Sequence, residues 1–574
     1  MQARSISKLF LALCSAALFN ITFAASITPI GAEHGMVVTA QHLATDVGVE
    51  VLKKGGNAVD AAVAVGYALA VTYPAAGNVG GGGFMTIQLA DGRKTFIDFR
   101  EKAPAAATAN MYLDDKGNVV KGLSTDSYLA VGVPGTVAGL ELAREKYGSL
   151  KRPVLIAPAI HLAQQGFVLD EGDADALAHS AGAFRRDAPT AAIFLNHGVP
   201  YKEGEKLVQK DLAHTLTLVS ERGADGFYKG ETAKALAAAS KAGKGIITMA
   251  DLEQYRAREL APIECDYRGY HVISAPPPSS GGVILCEMLN ILEGYPLKEL
   301  GWGSTQAVHD EIETMRHAYA DRNTYLGDPD FVKNPVTTLL NKDYAAKIRA
   351  DIDPAHAGDS HKIRPGIEMH EGDHTTHYCI VDAMGNAVAV TYTLNSAFGA
   401  KLTAAGTGVL LNNEMDDFTS KPGVANQFGL VQGEANAIAP GKRPLSSMTP
   451  TIVTRDGKPV MVVGTPGGST ITTVVLQTIL NVIDYGMNVQ EAVDAPRFHQ
   501  QWLPEETRFE PFSISPDVAK NLEAMGQKIK WWAPGNHVTA ILVGAPKLGG
   551  EPRGNKRLYG ANDPRPDTGS AAGY

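Results

Sequence analysis

Two runs rich in apolar and β-branched residues, His377 to Val381 and Ala387 to Leu394, flank Met384-Gly385-Asn386. Such runs around a short Gly/Asn turn predict a β-hairpin. Thr451 to Thr454 and Val460 to Val463 flank Asp456-Gly457, a second hairpin signal. Ser469 to Tyr485 reads as a helix and Val538 to Val543 as another buried strand. Sheet, helix and sheet recur, so this part of the chain is predicted to build layered α and β structure.

The first hairpin begins at a chemically unusual junction. His374-Thr375-Thr376-His377-Tyr378 opens its first strand, after a polar segment, Pro365 to Asp373, that reads as an exposed linker. A Thr pair at a strand start ordinarily serves packing. If the bond before Thr375 is cut, however, that residue carries a hydroxyl nucleophile and its own amine base together.

The preceding part mixes helices and short strands. Asn57 reads as the N-cap of an Ala/Val-rich buried helix. Gly80 to Gly83 mark a tight turn or a close backbone approach, and without a following Gly-Lys-Ser/Thr they are no phosphate loop. Thr95 to Phe99 is a predicted strand ending at Arg100. Helices are expected over Leu252 to about Arg258, Gln306 to Arg322 and Asp343 to Ile352. Pro276-Pro277-Pro278-Ser279-Ser280-Gly281-Gly282 is a rigid loop leading into an apolar helix. At 574 residues the chain has the length of about three or four average domains.

Arg4 and Lys8, the apolar run Leu9 to Phe19 and the small residues near Thr22-Phe23-Ala24 have the form of a secretory signal, with removal expected just after Ala24. The most apolar later stretch, Asn57 to Val71, contains Asp60 and Gly66 and is too short to span a membrane. A net charge of −9 argues against a general nucleic-acid binder. Beyond Cys14 in the leader there are Cys265, Cys286 and Cys379. Three is odd, so at least one thiol is unpaired, and buried inert cysteines are the default reading.

His370, Asp373, His374 and His377 cluster in sequence, and His309, Glu313 and His317 share a helix face. Neither set matches a zinc motif, so no metal and no cofactor is expected. No Gly-x-Ser-x-Gly elbow is present. Gly467-Gly468 lies between a strand and a helix, where backbone N–H groups can receive an anion or oxyanion.

The stretches AGNVGGGGFM (76–85), DFREKAP (98–104), PGTVAG (134–139), DYRGY (266–270), PPPSSGG (276–282) and YLGDPDFV (325–332) occur in this order along the chain. They are followed by TTHY (375–378), GNAVAVTYTLN (385–395), LLNNEMDDF (410–418), KRPLSSMTPTIV (442–453) and GTPGGS (464–469). Together they resemble bacterial γ-glutamyltranspeptidases of the N-terminal-nucleophile hydrolase superfamily, over about Ile27 to Tyr574.

The resemblance implies an αββα sandwich built jointly by two products of one self-cut precursor: a leader over 1–24, a large chain over 25–374 and a small chain over 375–574, the last two forming a heterodimer. It implies that Thr375 attacks the carbonyl of His374 to cut the chain, then attacks γ-glutamyl amides such as glutathione. Thr393 would orient Thr375. Gly467 and Gly468 would receive the oxyanion. Arg100, Ser446 and Ser447 would hold the substrate α-carboxylate, and Asn395, Glu414 and Asp417 its α-ammonium. Water or an amino acid or peptide amine would take the acyl group, in the periplasm or outside the cell, with no membrane anchor once the leader is gone. Lys421 to Gly433 resembles a lid, with Phe428 where some relatives have Tyr. Phe cannot donate a hydroxyl hydrogen bond to Asn395, so Phe428→Tyr is expected to change the ratio of hydrolysis to transfer, measured from released glutamate and transfer product. Relatives that deacylate glutaryl-type β-lactams give the alternative substrate class, which Glu414 and Asp417 disfavour.

Overall fold

The computed structural model describes residues 26–363, 375–424, 426–427, 430–532, 535–565 and 568–574. The leader, His370, Asp373, His374 and Phe428 lie outside the described residues.

Two seven-stranded antiparallel sheets organise the chain. In chain order their strands are β1 (Ile30–Ala32), β2 (Met36–Thr39), β3 (Gly82–Gln88), β4 (Lys94–Asp98), β5 (Arg258–Leu260), β6 (Ile263–Tyr267) and β7 (Tyr270–Ser274), then β8 (Thr376–Val381), β9 (Ala387–Thr393), β10 (Thr451–Arg455), β11 (Lys458–Gly464), β12 (Thr539–Val543), β13 (Leu558–Asn562) and β14 (Ser570–Gly573). The first sheet runs β14-β2-β8-β9-β3-β4-β5 and the second β1-β13-β12-β11-β10-β7-β6. Both sheets take strands from either side of Thr375. The two parts therefore interleave in the same pair of sheets.

Helix α1 (Ala58–Thr72) covers the first sheet. Asn57 caps it in a reciprocal box with Asp60, as the sequence predicts. Helices α2 (Gly281–Leu292), α3 (Thr305–Tyr325) and α4 (Thr470–Ile483) cover the second sheet. Between the sheets lies a third apolar layer, with Val38, Cys379, Ala389, Ile452, Val462 and Ile541. The result is an αββα sandwich. The two predicted hairpins form, β8 with β9 and β10 with β11. No described helix is long and apolar enough to cross a membrane.

Two expectations are corrected. The helix expected from Leu252 is Met249–Gln254, because Thr248 and Asp251 form a capping box that starts it earlier. Arg258 instead begins β5, pairing with Asp98 of β4. Cys265 and Cys286 are joined in a disulfide, leaving Cys379 as the free, buried thiol. Their separation of 21 residues gave no pairing signal; it is the packing of α2 against β6 that brings them together.

Glu287 on α2 is fully buried. Burial and then the neighbouring Asp321 carboxylate on α3 push its pKa well above the usual value. The folded state thus keeps a proton that the unfolded chain releases above about pH 4.5, so stability falls as pH rises. Glu287→Gln is expected to flatten that slope, by up to roughly 1.4 kcal/mol per pH unit, as read from melting temperatures at pH 5 to 9.

Candidate active site

Strand alternation decides which way the first-hairpin side chains face. Tyr378 and Ile380 of β8 join the layer under α1, whereas Cys379 and Val381 join the layer between the sheets. Thr375 and His377 share the parity of Cys379. On β9, Val390 and Tyr392 face α1, so Thr391 and Thr393 face the second sheet. Register pairs Thr376 with Tyr392 and His377 with Thr391. Thr375 therefore sits across from Thr393, and its hydroxyl donates to Thr393 Oγ1 at 3.4 Å. Asn395 N donates to the same oxygen at 2.8 Å.

His377 packs this strand against the opposite sheet at Gly464. It is fully buried, with Nδ1 2.7 Å from Thr391 Oγ1 and Nε2 3.3 Å from Cys379 Sγ. A Cβ on Gly464 at the end of β11 would lie 2.3 Å from its ring. Burial lowers its pKa to about 3, so it packs as a neutral ring. It is a structural residue, and its sequence neighbours in the His cluster lie outside the described residues. His309 is likewise engaged, through Nε2 with the Asp353 carbonyl at 2.9 Å.

Beyond Gly464 the chain turns through Thr465-Pro466-Gly467-Gly468 into α4. Gly467 and Gly468 have φ of 132° and 54°, the region that favours glycine. A Cβ on Gly467 would lie 2.0 Å from Asn536 Nδ2. Thr470 donates to the Gly467 carbonyl through N at 3.0 Å and Oγ1 at 2.6 Å. Asn536 Nδ2 donates to the Pro466 carbonyl, and its Oδ1 accepts from Thr470 Oγ1 at 3.0 Å. These bonds engage the Gly467 carbonyl at the start of α4 and the Pro466 carbonyl on the Asn536 side chain. The N–H groups of Gly467 and Gly468 donate to no backbone carbonyl among the described residues. Gly468 lines the same pocket as Thr375.

Arg100, Thr393, Asn395, Glu414, Asp417, Ser446 and Ser447 also line that pocket, as do Arg322 and Leu430. The structure thus brings together every described residue expected at the site except Gly467, which abuts it through Gly468. Arg100 is fully buried and donates through Nη1 to Glu414 Oε1 and through Nη2 to Asp417 Oδ2, while Nε donates to the Pro444 carbonyl at 3.2 Å. The groups expected to divide a zwitterion between them are paired with one another. Burial raises the pKa of Glu414 and of Asp417, and Arg100 counteracts it in both. Glu101 is also buried, and burial lifts it to about 7. Asn395 sits at φ 78°, which Asn tolerates, and donates Nδ2 to the Asn413 carbonyl at 3.0 Å.

Sequence reasoning missed Arg322 and Asn536. Arg322 lies in the last turn of a helix whose Asp310, Glu311, Glu313, Arg316 and Asp321 are buried as well, and nothing in that pattern marks which of them faces the pocket. Asn536 lies in a loop 66 residues beyond Thr470.

A model of the family described as Gamma-glutamyltranspeptidase matches residues 44–573. The chain belongs to the γ-glutamyltranspeptidase family. It is 70% identical, over all of both chains, to a protein named glutathione hydrolase proenzyme from Pseudomonas sp. (strain A14). It is 52% identical to the glutathione hydrolase proenzyme of Escherichia coli (strain K12), over 95% of this chain and 93% of that one. Among solved structures, the cephalosporin acylase from Bacillus halodurans superposes with a TM-score of 0.83 at 27% identity, covering 97% of this chain and 98% of the acylase. The four-layer sandwich is the N-terminal-nucleophile hydrolase fold expected of a γ-glutamyltranspeptidase.

Proposed function

We propose that this protein is an exported, self-cleaving γ-glutamyl hydrolase and transferase with Thr375 as its nucleophile. The observation that carries the reading is the Thr375 hydroxyl on the inter-sheet face, bonded to Thr393 and sharing a pocket with Gly468. The naming of its relatives as glutathione hydrolase proenzymes supports it.

In maturation, Thr375 Oγ attacks the carbonyl carbon of His374. The C–N bond breaks as the acyl group moves to oxygen, and water then hydrolyses the ester. The products are a large chain ending at His374 and a small one beginning with a free Thr375 amine. A model α-amine has a pKa near 7.7–8.0, so a useful share is neutral near pH 7. That amine accepts the Thr375 hydroxyl proton as Oγ attacks the γ-carbonyl carbon of the donor. The N–H groups of Gly467 and Gly468 receive the oxyanion. The C–N bond of the donor breaks, the amine returns the proton to the leaving group, and a γ-glutamyl ester remains on Thr375. Water releases glutamate from it; an amino acid or peptide amine forms a new γ-glutamyl amide.

The zwitterionic head of the donor fits a pocket holding both signs of charge. Its carboxylate goes to the Arg100, Ser446 and Ser447 side and its ammonium to Asn395, Glu414 and Asp417. The full-length superposition with a cephalosporin acylase supports a second reading, deacylation of glutaryl-type substrates. Glu414 and Asp417 disfavour it: two carboxylates share the single Arg100, and a glutaryl group brings no second cation to them. N-terminal sequencing and intact mass of purified protein should show a fragment beginning Thr-Thr-His-Tyr, and a γ-glutamyl anilide should be cleaved in preference to a glutaryl anilide. Activity in a continuous, uncut chain would overturn the proposal; preference for the glutaryl compound would favour the acylase.

A further inference from the structure

The cation in this pocket without an ion-pair contact is Arg322, not Arg100; Asp417 acts on it only from beyond that distance. Arg100 has Glu414 and Asp417 on its two terminal nitrogens and the Pro444 carbonyl on the third. Arg322, from the last turn of α3, is equally buried. It donates through Nε to Ser280 Oγ at 3.0 Å and through Nη2 to Ser447 Oγ at 3.0 Å. Nη1 donates to Asn323 Oδ1 at 2.8 Å and reaches Gln432 Oε1 at 3.4 Å. All four partners are neutral, and no carboxylate lies within ion-pair distance among the described residues. Burying an unpaired guanidinium is costly, and burial pulls its pKa down to about 10. An arriving anion would relieve that cost.

The hydrogen-bond geometry also gives Arg322 a way to act. A serine hydroxyl has one proton and two lone pairs. Because Ser447 Oγ accepts from Arg322, its proton is turned away from the guanidinium, and it donates to nothing among the described residues. Ser280 Oγ, held by the same arginine, donates to the Ser446 carbonyl at 2.7 Å. One buried cation thereby fixes the Ser446-Ser447 turn from two sides.

We infer that Arg322 is a positioning and specificity residue for the α-carboxylate of the donor: it orients the Ser447 hydroxyl toward that carboxylate and places a positive charge, free of any direct ion pair, behind it. This rests on the γ-glutamyl reading above, and the test separates the two. Three anilides are compared on purified, processed enzyme: γ-glutamyl, glutaryl (no ammonium) and 4-aminobutyryl (no carboxylate). Arg322→Gln is expected to raise KM about 100-fold for the γ-glutamyl compound, in line with loss of a charge-assisted contact, with kcat within about 3-fold. The loss should persist for the glutaryl compound and shrink below about 3-fold for the 4-aminobutyryl one. Ser447→Ala should reproduce the pattern, and Arg322→Gln on that background should add little, because the pair acts as a unit. Arg322→Lys, which keeps the charge, should recover part of the loss. Equal losses on all three anilides, with no recovery in Arg322→Lys, would reduce Arg322 to a structural role and overturn the inference; an unchanged KM would do the same. Failure of the unaltered enzyme on the γ-glutamyl compound sinks the function itself, while the glutaryl arm still reads Arg322.

Discussion

Replacing Thr375 with Ala is expected to leave one uncut chain and to lower kcat on a γ-glutamyl anilide by about 10⁶-fold, the scale seen when a nucleophile is deleted from a catalytic unit. The same oxygen is asked to do both jobs, so processing and turnover should disappear together. The fold should survive, because Thr375 lies just before β8 and the apolar layers under that strand are made by Tyr378 to Val381. Thr375→Ser keeps the hydroxyl and should retain both cleavage and turnover at reduced rates. Denaturing gels, intact mass and anilide kinetics read each outcome. A Thr375→Ala protein that still processes and turns over would mean that another group is the nucleophile.

Arg100→Met should be the most damaging change at the substrate-binding end. Removing one partner of a buried ion pair costs about 3–5 kcal/mol because the other charge stays buried. Here Glu414 and Asp417 would both lose their cation, with buried Glu101 beside them. Burial already raises the pKa of Glu414 and Asp417, and Arg100 is the main opposing influence. Without it both would rise further. A carboxyl whose folded pKa exceeds its unfolded one destabilises the fold progressively as pH rises. The stability deficit of Arg100→Met should therefore be larger at pH 8 than at pH 5, measured by denaturant unfolding at each pH. Glu414→Gln added to Arg100→Met should restore part of the loss, because one of the stranded charges is gone. A deficit independent of pH, with no recovery in the double variant, would show that the cluster is not held as a charge-balanced unit.

Much of the architecture was legible in the chain. The hairpins around Met384-Gly385-Asn386 and Asp456-Gly457 were readable because turn residues and β-branched runs are local signals. The Asn57 cap was readable for the same reason, since a helix start is specified within four residues. The boundary near Leu252 was misjudged because β5 exists only by pairing with β4, which lies 160 residues earlier at the Asp98–Arg258 contact. The disulfide was invisible for a similar reason: Cys265 and Cys286 sit on a strand and a helix that meet only in the packed core.

The amino-acid sequence by itself determined the nucleophile candidate and the layered class, because local motifs and periodicity are written along the chain, and its family resemblance named the charged pocket members apart from Arg322. Only the tertiary structure decided how the charges in that pocket are shared. Arg100 turned out to be satisfied by the carboxylates meant for the ammonium, and Arg322 turned out to be the cation with no direct ion pair. Charge pairing depends on which side chains lose water together, and desolvation is a property of the assembled layers rather than of any stretch of residues.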